Sequence, residues 1–217
     1  ITGSITAGNK VYDGNNTANI LTRTLTGVVT GEEADVTLTG GSATFADALV
    51  GTGKTVTGTG LTLSGTKSAN YNLTSVGTTT ANITGLALTG NFTADNKVYD
   101  GNTTATVLTR TLTGVLPADV ADVTLNGGTA SFATADVATG KTVTSTGMTL
   151  AGTKAGNYTL SSVATTTANI TGLPLTGSFT AANKVYDGTN AATILTRTLT
   201  GVLPADAADV TLTGGTA

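Results

Sequence analysis

Apolar and polar residues alternate along most of the chain, and this pattern predicts β-strands with one buried face. In the segment 107–113, Leu108 and Leu112 fall on one side while threonines occupy the other. Leu88 and Phe92 share one face of a predicted opening strand, because successive side chains of a strand point to opposite faces. No segment has the period of an amphipathic helix. The pattern therefore predicts an all-β protein.

The same pattern predicts further strands and the turns between them. Residues 121–125 and 130–133 predict two short strands that form a hairpin around a pair of glycines. Residues 141–150 predict the longest strand, with a β-bulge at Gly147 because the apolar positions on either side of it have opposite parity. A closing strand is predicted at 165–170. About seven short strands separated by turn signals are typical of a β-sandwich.

The chain repeats itself with a period of 87 residues, and this period defines its domains. The stretch Lys-Val-Tyr-Asp-Gly occurs around Tyr12, Tyr99 and Tyr186, and the sequence between these positions aligns without insertions or deletions. The predicted domains are residues 1–87, residues 88–174 and a partial third repeat at 175–217.

The junctions between repeats are short. Only three residues, Gly85 to Ala87, separate the last predicted strand of the first copy from the second copy, which is too few for a flexible tether. We therefore expect tandem β-sandwich (Ig-like) repeats that form an elongated rod. A β-solenoid is the alternative fold, because Leu/Ile-Thr-Gly steps recur along the chain, although their irregular spacing does not match the near-constant rung of a solenoid.

Composition narrows the chemistry. The chain has no histidine and no cysteine, which removes the commonest general base and every thiolate metal site. The scattered carboxylates form no nucleophile–base pair, so we expect no enzymatic activity and no cofactor. The net charge is −3 and the sequence has no cluster of basic residues that would bind nucleic acid. No apolar run is long enough to span a membrane. The chain starts without methionine and ends inside a repeat, so we expect it to be a fragment.

The Tyr-Asp-Gly stretch is the main candidate site. Asp-Gly predicts a tight turn, since glycine accepts a positive φ and aspartate can bond the local backbone. Val98 or Tyr99 is expected to enter the core at this corner. The motif residues are Tyr12, Asp13, Gly14, Tyr99, Asp100, Gly101, Tyr186, Asp187 and Gly188.

Two interpretations of the motif aspartates are open. The carboxylates of Asp13, Asp100 and Asp187 are calcium candidates, because calcium prefers carboxylate and carbonyl oxygens. Their spacing does not match an EF-hand loop, and a turn carboxylate bonded to local amides is the simpler interpretation.

An arginine lies on the apolar face of a predicted strand, at Arg110 and at its copy Arg23. Either the guanidinium extends past the sheet edge while its stem covers apolar surface, or it pairs with a carboxylate across the sandwich. Asp100 and Asp122 are the candidate partners of Arg110, and Asp13 and Asp35 are the corresponding partners of Arg23.

Two stretches at fixed spacing carry a family resemblance. Lys-Val-Tyr-Asp-Gly is followed in each complete copy by Gly-Thr-Lys-(Ala/Ser)-(Gly/Ala)-Asn-Tyr-x-Leu, at 65–73 and 152–160. Together they resemble the YDG repeats of bacterial surface proteins, tandem modules found in filamentous-haemagglutinin-like adhesins. The resemblance implies an extracellular protein displayed on the bacterial cell surface, without enzymatic activity.

The function expected from these observations is a structural stalk that projects the binding region of a bacterial adhesin for adhesion or biofilm formation. Its expected partners are neighbouring repeats of the same protein and a host or matrix ligand. Two alternatives are open. The chain could be a subunit of an extracellular filament, with homo-oligomers assembled by β-strand complementation between chains. It could instead be a module that binds glycans or calcium.

Overall fold

The computed structural model describes all residues, 1–217, and its regular structure is almost entirely β. The strands are β1 (Thr2–Ala7), β2 (Lys10–Val11), β3 (Thr17–Ala18), β4 (Ile20–Thr26), β5 (Thr37–Phe45), β6 (Gly51–Ser64), β7 (Ser75–Val76), β8 (Thr79–Thr84), β9 (Leu86–Ala94), β10 (Lys97–Val98), β11 (Thr104–Ala105), β12 (Val107–Thr113), β13 (Thr124–Phe132), β14 (Ala138–Ala151), β15 (Tyr158–Val163), β16 (Thr166–Thr171), β17 (Thr176–Ala181) and β18 (Ile194–Thr200). Short 3₁₀ turns lie at Ser68–Asn70, Pro117–Asp119, Ala155–Asn157 and Pro204–Asp206. None of these helical segments has the length and hydropathy needed to cross a lipid bilayer.

Each complete repeat contains one sheet of three strands and one of five. In the first repeat the orders are β4-β1-β7 and β2-β8-β6-β5-β3, and in the second they are β12-β9-β15 and β10-β16-β14-β13-β11. The third repeat contributes the pair β17-β18. Most pairings are antiparallel, but β7 pairs with β1 and β2 pairs with β8 in parallel. The predicted all-β class and tandem repeat organisation are confirmed.

The core of the first repeat lies between its two sheets. Ile5 of β1 is buried against residues of the five-stranded sheet such as Leu38 and Leu61. The sheets approach closely at two glycines: an added Cβ would lie 2.9 Å from Leu38 Cδ2 at Gly3 and 3.0 Å from Ile5 Cδ1 at Gly58. Ser4 and threonines cover the outer face of β1 and β4, and their hydroxyls pair across the strands, Ser4 with Thr24 and Thr6 with Thr22. The alternation in β1 thus separates an apolar inside from a hydroxyl-rich outside, whereas Leu21 of β4 and the equivalent Leu108 of β12, expected on a buried face, are 60% and 56% exposed.

Two local predictions are corrected by the structure. The segments predicted as a hairpin form one strand, β13, which continues through Gly127 and Gly128. The second concerns the β-bulge predicted at Gly147. In the first repeat, where Gly60 is the equivalent residue, the strand pairing runs from Gly40–Leu61 to Ser42–Thr59 without a register shift, so that strand pair has no bulge.

Glycine conformation explains both corrections. Gly40, Gly41 and Gly60 all have positive φ, at 66°, 74° and 68°. Such a conformation reverses which side chains face the core without changing the register, so Val56 and Leu61 are both buried despite their opposite parity. A parity argument cannot distinguish this reversal from an inserted residue.

The chain divides into two compact units. The first comprises residues 1–90, 111–126 and 149–163, and the second comprises 91–110, 127–148 and 164–217. The buried hydrophobic cluster of the first unit consists of Ile5, Tyr12, Ala18, Leu38, Ala43, Phe45, Val56, Leu61, Ala81, Ile83, Leu88, Val123 and Tyr158. The buried hydrophobic residues of the second unit are Phe92, Ala105, Ala130, Phe132, Val143, Met148, Ala168 and Ile170.

Within the first unit, the residues that join the first two repeats belong to a strand. Leu86 and Ala87 begin β9 and pair in parallel with Tyr158 and Thr159 of β15. The buried cluster of this unit also includes residues from both repeats. The junction is therefore hydrogen-bonded strand packed on a shared core, which agrees with the short separation in the sequence.

Candidate functional site

The Tyr-Asp-Gly loop is closed by a lysine. Lys10 Nζ lies 2.7 Å from Asp13 Oδ1 and donates hydrogen bonds to the carbonyl oxygens of Asn15 at 2.9 Å and Thr17 at 3.1 Å. The Asn15 amide donates to Asp13 Oδ1 at 3.1 Å. Burial raises the pKa of Asp13, but its bonds to Lys10 and Asn15 outweigh burial and leave the pKa below its ordinary value. Gly14 completes the turn with φ of 81°.

The same closure occurs in the other two copies of the loop. Lys97 Nζ lies 2.6 Å from Asp100 Oδ1, and Lys184 Nζ lies 2.7 Å from Asp187 Oδ1. Lys184 also donates to the carbonyl oxygen of Ala191 at 2.9 Å. The loop is therefore organised by its own residues, independently of the rest of each repeat.

The last strand of each complete repeat holds the motif tyrosine in place. The Tyr12 amide donates to the Thr84 carbonyl at 2.8 Å, and the Tyr99 amide donates to the Thr171 carbonyl at 2.9 Å. Tyr12 is buried and Tyr99 is half-buried, whereas Val98 is exposed. Of the two residues expected at this corner, the tyrosine is the one that leaves the surface.

The motif aspartates, which are the calcium candidates, already have local partners. In each of Asp13, Asp100 and Asp187, the Oδ1 oxygen contacts a lysine ammonium and accepts a backbone amide. An ammonium beside the carboxylate repels a divalent cation. No group of three or more acidic side chains in the chain is arranged to hold a metal ion.

A second feature, the Asp119 cluster, consists of Tyr12, Asp119, Lys154 and Tyr158. Asp119 ends the 3₁₀ turn Pro117–Asp119, and its side chain is only 4% exposed. Its Oδ2 oxygen accepts hydrogen bonds from the hydroxyls of Tyr12 at 2.8 Å and Tyr158 at 2.7 Å. Its Oδ1 oxygen accepts a hydrogen bond from Lys154 Nζ at 2.6 Å. The two tyrosine rings meet edge to face, with centroids 5.4 Å apart.

These contacts fix the charges of the cluster. The hydrogen bond from Lys154, followed by that from Tyr158, lowers the pKa of Asp119 to about 2. Burial and then the bond to Asp119 raise the pKa of Tyr158 to about 12, and the same two causes raise the pKa of Tyr12. At neutral pH the carboxylate is therefore ionised and both hydroxyls are neutral donors.

The Asp119 cluster joins two repeats. Tyr12 belongs to the first repeat, and the other three members belong to the second. A further bond accompanies it, because the Val50 amide of the first repeat donates to Asn157 Oδ1 of the second at 3.1 Å. Asn157 and Asp119 are the two buried polar residues of the chain, and both are used at this junction.

The equivalent positions of the first repeat form the Glu32 cluster, which consists of Glu32, Lys67 and Tyr71. The Tyr71 hydroxyl donates to Glu32 Oε2 at 2.6 Å, and Lys67 Nζ donates to Glu32 Oε1 at 3.2 Å. The Glu32 side chain is 26% exposed, against 4% for Asp119. The two clusters thus share a carboxylate, a lysine and a tyrosine from their own repeat.

The second unit contains the corresponding contact with the third repeat. A hydrogen bond to Asp206 raises the pKa of Tyr99. Asp206 ends the 3₁₀ turn Pro204–Asp206, as Asp119 ends its own turn. The separation between Tyr99 and Asp206 is 107 residues, the same as between Tyr12 and Asp119. The motif tyrosine therefore contacts the carboxylate of the following repeat twice along the chain.

Comparison with protein families agrees with the internal repeat. A family model for the YDG domain matches residues 2–81 and again residues 84–168. The chain belongs to the YDG domain family. No curated protein and no solved structure matches it.

The arginines of the YDG repeats do not form the ion pairs considered from the sequence. Arg23 donates from Nε and Nη2 to the Gly40 carbonyl at 3.1 and 3.0 Å, and Arg110 Nε donates to the Gly127 carbonyl at 3.0 Å. All eight ion pairs of the structure use lysine. Gly40 and Gly127 both have positive φ, and their carbonyl oxygens accept the guanidinium hydrogen bonds that a carboxylate was expected to accept.

Lysines take up the proposed arginine partners. Asp35 Oδ2 lies 3.5 Å from Lys67 Nζ, and Asp122 Oδ2 lies 3.5 Å from Lys154 Nζ. Both lysines lie in the Gly-Thr-Lys stretch that occurs once in each complete repeat. Lys67 also contacts Glu32, and Lys154 also contacts Asp119.

Sequence reasoning missed the carboxylate of the two clusters. The loop before it varies, since Val29-Thr30-Gly31 in the first repeat stands where Leu116-Pro117-Ala118 stands in the second. The position that follows is nonetheless acidic in every copy: Glu32, Asp119 and Asp206. An acidic residue retained in a variable loop was the available signal.

Proposed function

We propose that this chain is a structural stalk of a bacterial cell-surface adhesin. Its tandem YDG domains would be exported to the cell exterior and project a binding region for adhesion or biofilm formation. The observation that carries the proposal is the Asp119 cluster, in which the tyrosine of one repeat donates to the buried carboxylate of the next. The bacterial and extracellular context rests on the resemblance to surface-protein repeats.

A stalk requires successive domains that resist swivelling. Three features of the first unit supply this resistance: the paired strand at 86–87, the shared buried cluster and the directional bonds to Asp119. The polar cluster adds orientation that apolar burial alone does not give, because hydrogen bonds weaken steeply when their angle departs from linearity. The junction therefore favours one angle between neighbouring repeats.

The polar groups at the junction are arranged for binding between repeats and not for catalysis. Both oxygens of Asp119 are occupied by donors. The bond to Asp119 raises the pKa of Lys154, which keeps its amine protonated and unable to act as a nucleophile. We therefore expect no enzymatic activity from this site.

A filament assembled by β-strand complementation between chains is the second candidate, carried over from the sequence as an alternative to the stalk. The threonine hydroxyls on the outer face of β1 and β4 have less capacity to bind a glycan, because Thr6 and Thr22 already hydrogen-bond to each other.

Small-angle X-ray scattering of the dilute chain tests the stalk. We expect the wild-type protein to scatter as a stiff, extended particle. Tyr12→Ala should increase flexibility in the dimensionless Kratky plot, because it removes the donor and the ring from the junction. Tyr186→Ala is the matched control, since this motif tyrosine is 92% exposed. A compact wild-type particle, or a Tyr12→Ala profile identical to the wild type, would contradict the proposal.

A further inference from the structure

The strand β4 forms the long open edge of the first repeat. Of the strands at its sheet edges, β2, β3 and β7 have two residues each, whereas β4 has seven. β4 pairs with β1 on one side and with no strand on the other. A long strand edge offers unpaired N–H and C=O groups to another strand. The first repeat therefore has one edge to which a further strand could be added.

The second repeat has the same open edge at β12. This repeat has one repeat before it and another after it along the chain, and neither adds a strand to β12. β4 and β12 share the sequence Leu-Thr-Arg-Thr-Leu-Thr, and the first leucine of that sequence, Leu21 or Leu108, is exposed in both. The open edge is therefore a property of the repeat itself and does not depend on which residues flank it.

The sequence of β4 is self-complementary. Residues 21–25, Leu-Thr-Arg-Thr-Leu, read the same in both directions. In an antiparallel pair of two β4 strands centred on Arg23, leucine would lie opposite leucine and threonine opposite threonine. Apolar and threonine pairs of this kind stabilise a sheet. Such a pair is also related by a two-fold axis, the usual symmetry of homodimers. The edge therefore matches the same edge of a second chain.

One residue of the strand opposes this pairing. The chain has three arginines, Arg23, Arg110 and Arg197, and each lies at the centre of this strand in its own repeat. It is the only charged residue of β4, β12 and β18. In the centred antiparallel pair the two arginines would lie directly opposite each other. Like charges in that position destabilise a sheet.

The structure holds the arginine charge at the edge. Arg23 lies opposite the buried Ile5 of β1, and its guanidinium bridges to the Gly40 carbonyl of β5. Arg197 Nε bonds to the Gly214 carbonyl in the same way, at 2.8 Å. A carbonyl does not neutralise the charge, and all the ion pairs use lysine. A strand added to β4 would therefore take an unpaired cation out of water, which is costly.

We propose that Arg23, Arg110 and Arg197 are guard residues that prevent β4, β12 and β18 from pairing with the same strands of a second copy of this chain. The edge is a latent self-association surface, and the arginine charge keeps two copies apart. Inward-pointing charges on edge strands have this effect in other β-proteins. Each arginine acts within its own repeat, so the guard does not depend on the proposed stalk.

Sedimentation velocity over a concentration series tests the guard. The wild-type protein should sediment as a single chain throughout. The glutamine variant, with Arg23→Gln, Arg110→Gln and Arg197→Gln, should at least double its weight-average mass, as a two-fold dimer requires. Glutamine keeps an amide donor for the glycine carbonyl and removes only the charge. The net charge changes from −3 to −6 because three positive charges are lost, so general repulsion between chains increases and cannot cause the association.

The matched control is the lysine variant, with lysine in place of all three arginines. Lysine keeps the charge at the same positions, so this variant should remain a single chain. Hydrogen exchange then locates the contact in the glutamine variant. Amides of residues 20–26, 107–113 and 194–200 should gain protection on association, because a new strand partner would bind their free N–H groups.

A charge-reversed variant separates edge pairing from misfolding. With glutamate in place of all three arginines, the variant should remain a single chain by itself, because glutamates would lie opposite each other. An equimolar mixture with the wild type should form mixed dimers, since each glutamate then faces an arginine. A misfolded variant would instead associate without the wild type.

Four results would overturn the inference. The glutamine variant could fold and stay a single chain, the lysine variant could associate as readily as the glutamine variant, or the mixture with the glutamate variant could contain no dimers. The wild type could also associate with protection of residues 20–26, which would show that the edge is not guarded and would favour the filament over the stalk.

Discussion

Removal of one hydroxyl from the first junction is the most direct perturbation of the Asp119 cluster. Tyr12→Phe keeps the aromatic ring, so the edge-to-face contact with Tyr158 is retained. It removes only the 2.8 Å bond to Asp119 Oδ2, and that oxygen keeps its bond from Tyr158. The substitution therefore leaves no buried charge without a donor.

The magnitude follows from the kind of bond that is lost. A hydrogen bond to a charged group contributes about 1.5–3 kcal/mol to stability. Because Asp119 keeps two other donors, we expect a loss at the lower end, about 1.5–2 kcal/mol in the free energy of unfolding of the first unit. At roughly 4 °C per kcal/mol, this lowers Tm by about 6–8 °C.

Urea unfolding followed by far-UV circular dichroism measures this loss, and calorimetry supplies Tm. Tyr186→Phe is the matched control, because it changes the same motif position where the side chain is exposed. Its effect should stay within about 0.5 kcal/mol. In an Asp119→Asn background, Tyr12→Phe should cost only about 0.5–1 kcal/mol, as expected for a bond to a neutral acceptor.

Two results would refute this reasoning. The first is a loss below about 0.5 kcal/mol for Tyr12→Phe, since a surface substitution has an effect of that size. The second is an equal loss in the presence and absence of the Asp119 charge. Either would mean that the tyrosine acts by packing alone and that the carboxylate does not join the repeats.

Three further predictions follow from the structure. Because the pKa of Asp119 is about 2, below its ordinary 3.8, its stabilisation is complete above about pH 4 and is lost as the pH falls towards 2; urea midpoints of wild type and Asp119→Asn should converge there. Melting curves with calcium and with chelator should coincide, because each motif aspartate already contacts a lysine, and a calcium-dependent shift would contradict this. Gly65→Ala should cost more than about 4 kcal/mol, since its Cβ would lie 2.1 Å from the Asp35 carbonyl oxygen, whereas Gly31→Ala, with nothing within 4 Å, should cost about 1 kcal/mol in chemical denaturation.

The strands could be predicted from the sequence because their burial follows local alternation. Leu88 and Phe92 were expected on one face of a strand, and both are buried on β9. The reversal at Gly40, Gly41 and Gly60 could not be predicted in the same way. It depends on glycines of two paired strands taking positive φ together, and parity counted along one strand carries no information about its partner.

The local turn of the candidate site could be predicted from the sequence, but the partner of its tyrosine could not. The turn at Asp13 depends on residues within a few positions, so the Asp-Gly signal was sufficient to expect it. The partner of Tyr12 lies 107 residues away in another repeat. A periodic sequence indicates which positions are equivalent, but it does not indicate that a side chain of one copy binds the next copy.

The division of donors in the Asp119 cluster gives the array a direction. Two donors of the Asp119 carboxylate come from its own repeat, and the third comes from the repeat on its N-terminal side. A buried carboxylate is costly unless its oxygens are satisfied, so the second repeat is stabilised by the first. The tyrosine and the glycine of the loop belong to one repeat, and the carboxylate that receives them belongs to the next, so the contact has a direction along the chain. The acidic residue at this position is therefore the feature that lets the second repeat accept the loop of the first.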